Sequence, residues 1–138
     1  MVRQPAIPDK VAQAHCNPLK QSIYSRSCHI NSLAAPYLTH YVIVRADLPR
    51  GNQAAHLIHA AGHTSPGDLD ATTYAVALTV KDEASLRSLA ATLAQFGLLH
   101  HLEIENDPPY SGQAMALGIA PMPRHLLKRF LHRLPLLK

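Results

Sequence analysis

Residues 41–62 read YVIVRADLPRGNQAAHLIHAAG, and this stretch decides the fold class. It opens on an unbroken apolar run, Tyr41-Val42-Ile43-Val44, the pattern of a strand buried on both faces. The loop Asp47-Leu48-Pro49-Arg50-Gly51 follows, and then an Ala-rich segment of helical period. A buried strand that feeds a helix through a short polar loop puts that loop at the carboxyl edge of a sheet. Open α/β sheets bind ligands there, and the free N–H groups of the helix favour anions.

Working outward, the helix is expected from about Gly51 to Gly62. Ala54, Leu57, Ile58 and Ala61 fall on one face, and His56, His59 and His63 in a narrow arc opposite. A second apolar run, Tyr74 to Val80, reads as another central strand. Asp82 is placed to cap a helix whose buried stripe is Leu86, Leu89, Leu93 and Phe96, with Gly97 as its terminator. From Leu98 to Glu105 the pattern alternates: His100, Leu102 and Ile104 on one side, His101, Glu103 and Glu105 on the other. Residues 106–112 can only be a loop, Gln113 to Ile119 is the last strand, and Pro123 opens a C-terminal helix. The order βαβαββα defines an α/β domain over residues 39–138: three layers, α/β/α, around a small mixed, mostly parallel four-stranded sheet.

Residues 1–38 mix prolines with Ser, Asn, His and Gln without a period, and are expected to be a disordered extension. They carry Arg3, Lys10, Lys20 and Arg26 against Asp9 alone, whereas the rest of the chain is nearly balanced. The +4 net charge therefore overstates how basic the domain is. One segment is locally basic: Arg124, Lys128, Arg129, Arg133 and Lys138 follow Pro123 with no acid among them, which suits either a phosphate-binding surface or a solvated helix face. Cys16 and Cys28 form neither a disulfide framework nor a metal set. No run of apolar residues is long enough for a membrane span and no secretory leader is evident, so a cytoplasmic location without membrane contact is expected. Exposed Ala and Leu surface would suit a homodimer.

Three blocks in order resemble the archaeal/eukaryotic-type peptidyl-tRNA hydrolase family. VRADLPRG before AAHLIHAA is similar to that family's strand, DL loop and AAQxxHAA helix, with His56 where the family carries Gln. VALTVKDEASLRSLAATLAQFGL is similar to its second strand and helix, and MALGIAPMP to its LGIGP segment. The ending LPLLK is close to that of an uncharacterised bacterial family of the same superfamily. The resemblance covers about residues 40–138. It implies hydrolysis of the ester joining peptide to tRNA, with tRNA as partner and no cofactor; the alternative is the same fold with catalysis altered or lost, acting as an RNA- or nucleotide-binding module or in a small-molecule role. Such chemistry needs an activated water, a polarised carbonyl and a cationic surface for the RNA backbone.

The family's Lys in the first loop is missing here, and Arg50 is the cation present. Arg50 can hold a phosphate or an oxyanion but cannot act as a base. Candidate catalytic residues are therefore Arg50, Asp107 (to orient water) and Ser111. Asp47, Gly51, Gln53, His56 and His59 are expected around the substrate, and Arg124 and Lys128 along the tRNA backbone. Asp47 has a second reading, as a turn residue that accepts backbone N–H bonds. His56, His59 and His63 lack a carboxylate or Cys in their helix to complete a metal set, so no metal is expected.

Overall fold

The structure is a computed structural model, and it describes residues 37–138. The extension expected over residues 1–38 lies outside these, apart from Tyr37 and Leu38, and so do both cysteines. The elements follow the expected order: β1 (Leu38–Arg45), α1 (Arg50–Thr64), β2 (Tyr74–Val80), α2 (Glu83–Gln95), β3 (His100–Ile104), β4 (Ala114–Pro123) and α3 (Arg124–Leu131). The sheet runs β2-β1-β4-β3. β1, β2 and β3 point the same way and β4 opposes them. Because β4 lies between β1 and β3, only the β1–β2 ladder is parallel.

Alternation along β1 builds two cores. Tyr41 and Ile43 face α2 and α3, where they meet Leu86, Leu93, Leu117, Ile119, Leu127 and Leu131. Val42 and Val44 face the other way, toward Ala60, Leu48, Met115 and Ala116 under α1. The sheet is thus covered on both faces, as the apolar runs of β1 and β4 require. Beyond α3 the chain returns along the free side of β2. Thr79 N–H donates to Pro135 O and Leu137 N–H to Ala77 O, which closes an edge that would otherwise stand open.

The second core is thin because α1 lies very close to β4. A Cβ built on Gly118 would stand 2.3 Å from Ala60 O and 2.5 Å from Thr64 Oγ1, so only glycine fits there. The helix accordingly buries His56 and Ala60 most deeply, and of the apolar face expected from its periodicity Leu57 and Ala61 pack, partly buried, against the second core. Ile58 is 73% exposed and Ala54 also faces solvent. The narrow space over Gly118 admits a helix side made of Ala60 and Thr64, and it turns the histidine arc toward β3.

The stripe expected on α2 differs in the same way. Phe96 is 53% exposed, with the Arg129 guanidinium 4.1 Å above its ring, and Ala90 takes its place in the core. Leu126 is exposed on α3, while Leu127 and Leu131 are buried. Asp82 caps α2 as expected, accepting from Ser85 N–H at 2.9 Å.

His40 is buried beneath the end of α1 and its Nε2 lies 2.8 Å from Thr64 Oγ1. The Thr64 hydroxyl gives its own proton to Ala60 O, so it accepts from His40. Burial pushes the His40 imidazole below its ordinary value of 6.5. Below that pH the unfolded chain takes up a proton that the folded chain refuses, so stability is complete above it and is lost as pH falls. Urea-unfolding midpoints are expected to drop between pH 7 and pH 5.5 more steeply for the natural protein than for His40→Gln. Equal slopes would remove His40 from this role.

Candidate functional site

At the carboxyl end of β1, Arg45 is buried and takes the place of an anion site. Its Nε and Nη2 donate to the two oxygens of Asp47 at 2.8 and 2.7 Å, and its Nη1 to Gln113 Oε1 at 2.8 Å. Glu83 stands 3.7 Å away and also accepts from Ala114 N–H and Arg87 Nε. The hydrogen bond from Arg45 holds the Asp47 carboxyl below its ordinary value. Asp47 is thus engaged by its own strand through both oxygens, while its side chain stays partly exposed.

The other residues expected in that corner are also engaged. Gln53 turns back to donate to Leu48 O at 2.7 Å and Ala46 O at 3.3 Å, bracing the loop that precedes its helix. Arg50 donates from Nη1 to Lys138 O, beside the tail that lines β2. Gly51 is exposed at the helix start. Asp107 and Ser111 lie in the loop between β3 and β4, at the opposite side of the sheet from β2. There Ser111 Oγ donates to Asn106 O at 2.9 Å. The three expected catalytic residues therefore do not converge. Arg124 and Lys128 are exposed on α3, across the sheet from α1.

What does converge is the seam between α1 and β3. The two run in opposite directions, so the histidine arc of the helix meets the polar stripe of the strand position by position. His56 Nε2 lies 3.5 Å from Glu105 Oε2, and His63 Nε2 lies 3.6 Å from Glu103 Oε2. His101 Nε2 reaches the same Glu103 oxygen at 3.2 Å, and its ring stacks on that of His63 with centroids 4.3 Å apart. Both stripes are visible in the sequence. Their meeting is not, because it depends on β3 pairing beside β4 and on the close approach over Gly118.

Between these walls lies an open cleft of about 440 Å³, within the range of small-molecule sites. Asn52, His56 and His59 line it from the helix, and Glu103, Glu105 and Asn106 from the strand and its loop. Glu105 is firmly placed, since its Oε1 accepts from the N–H groups of Asn106 at 2.8 Å and Asp107 at 3.1 Å. The N–H groups of Asp107 and Asn106, aided by His56 and His59, hold its carboxyl below the ordinary value against a smaller opposing effect of burial. His56 is 8% exposed, and its Nδ1 is buried without a partner among the described residues. A buried polar atom left in this state is uncommon and marks strained or functional positions.

No family model matches this chain, and no curated protein matches it either. Among solved structures it is similar to a protein of unknown function from Agrobacterium tumefaciens strain C58. The match has 14% identity, covers 73% of this chain and 98% of that one, and has a TM-score of 0.50. At that identity the likeness concerns the fold alone. Among the described residues no helix is long and apolar enough to cross a membrane.

Proposed function

We propose that the protein is an ester hydrolase of the peptidyl-tRNA hydrolase type, with the α1–β3 cleft as its reacting centre. The observation that carries this reading is His56: a nearly buried imidazole whose Nε2 faces both the cleft and the fixed carboxylate of Glu105. Nε2 takes a proton from a water in the cleft. Glu105 stabilises the imidazolium that forms. The water oxygen attacks the ester carbonyl carbon, and the carbonyl pair moves to its oxygen. The side-chain amides of Asn52 and Asn106 are the donors available to that oxyanion. Collapse of the intermediate expels the ribose oxygen, which recovers the proton from Nε2.

Support for the substrate class comes from the resemblance over residues 40–138. The RNA backbone would lie outside the cleft, because Glu103 and Glu105 repel phosphates there. Asp107 and Ser111 would border its rim, through the loop that fixes Glu105. The test is incubation of the full chain with N-acetyl-aminoacyl-tRNA, following release of the N-acetyl amino acid. Release well above a buffer control is expected, and its absence would end this reading.

A further inference from the structure

We infer that His63, His101 and Glu103 form a binding site for a zinc-type divalent transition metal ion at the lower end of the α1–β3 seam. The donor atoms of the three residues lie within 4.8 Å of one another. The two imidazoles are stacked with both Nε2 atoms turned to one carboxylate oxygen, at 3.6 and 3.2 Å.

A charge-assisted hydrogen bond between imidazolium and carboxylate would close to about 2.7–2.9 Å. Donors around a tetrahedral zinc, at bond lengths of about 2.0–2.2 Å, stand about 3.4 Å from each other. The separations of 3.6 and 3.2 Å lie on either side of the second value, and the shorter also serves as a hydrogen bond when no ion is bound. Two neutral nitrogens and one carboxylate oxygen are a donor set that zinc-type ions accept, with one position left to solvent.

The fold supplies the placement. His101 and Glu103 are two residues apart on a strand and so share a face. His101 is paired across the sheet with Gly118, and Glu103 with Ala116. These two small residues let the last turn of α1 descend until His63 reaches both. An ion here would clasp helix to strand, independently of whether the cleft hydrolyses an ester.

The experiment is calorimetric titration of chelator-treated full-length protein with ZnCl2. Natural protein, His63→Ala, His101→Ala and Glu103→Gln would be compared, with thermal melts of each. One equivalent of zinc is expected to be lost in both histidine variants and bound at least tenfold more weakly by Glu103→Gln. Zinc is expected to raise the melting temperature of the natural protein most, that of Glu103→Gln less, and that of neither histidine variant. Uptake that stays undiminished in both histidine variants, or no uptake by the natural protein, would overturn the site. Long-range 1H–15N spectra of the natural protein do not depend on variants folding. Zinc is expected to shift the Nε2 signals of His63 and His101, and shifts confined to other histidines would contradict the assignment.

Discussion

Gly118→Ala is expected to cost about 3 kcal/mol of stability, the upper part of the range for inserting a methyl group into a closed space. The new Cβ would meet Ala60 O at 2.3 Å, Thr64 Oγ1 at 2.5 Å and Thr64 Cγ2 at 2.9 Å. The first of these is main chain within a regular helix and cannot swing aside. Relief requires α1 to rise from the sheet, which opens the thin core around Ala60, Val42 and Ala116. It also breaks the hydrogen bond between His40 and Thr64. Gly62→Ala is the matching control. It lies in the same helix with nothing within 4 Å of an added Cβ, and replacing a helical glycine there is expected to stabilise by about 0.5–1 kcal/mol. Urea unfolding of the two variants should therefore move the midpoint in opposite directions. Similar small shifts for both would mean that α1 does not press on β4 as described.

His56→Ala is expected to reduce kcat/KM for N-acetyl-aminoacyl-tRNA by about a hundredfold or more, the contribution typical of a general base. Glu105→Gln should lose less, because it removes the charge that stabilises the imidazolium and leaves the base itself in place. Arg50→Ala should remain within about threefold of the natural protein, since its guanidinium is held on the tail beside β2. His56 is buried, so each variant must first show a cooperative melt and an unchanged far-ultraviolet spectrum. A folded His56→Ala with full activity would remove the base from this mechanism. A large loss in Arg50→Ala would return the reacting centre to the helix start.

How much of this was legible in the sequence varies by element. The strands could be read because β1, β2 and β4 are apolar runs between turn residues, and a strand buried on both faces has little other way to be written. The cap at Asp82 and the alternation from His100 to Glu105 are local patterns, and the structure follows them. The buried faces of the helices were less legible. On α1 the periodicity points to Leu57 and Ile58; Leu57 packs against the core, but Ile58 is exposed and the helix seats itself on Ala60 and His56. Its neighbour at that point is a glycine backbone, not a pocket for large side chains. On α2, Phe96 lies outside the core because Arg129 and Phe130 offer it a partner on the surface.

The candidate site was legible only in halves. The arc of His56, His59 and His63 and the stripe of His101, Glu103 and Glu105 can each be read from one segment. Their union depends on strand order, which no local pattern encodes. The loop from Asp47 to Gly51 attracted attention because loops at the carboxyl edge of a sheet so often bind anions. In this chain the buried guanidinium of Arg45 draws Asp47 inward, and Gln53 and Arg50 bond to backbone carbonyls. Its polar groups are largely satisfied within the fold, while Nδ1 of His56, further along the same helix, is not.

The proposed site for ligand is the seam between α1 and β3. The most direct measurement is an amide and imidazole NMR titration of the full chain with a non-hydrolysable N-acetyl-aminoacyl-adenosine amide. Saturable shifts are expected at Asn52, His56, His59, Glu103, Glu105 and Asn106, with little change at Arg50, Arg124 and Lys128. Shifts centred on Arg50 or on α3, with the seam silent, would contradict it.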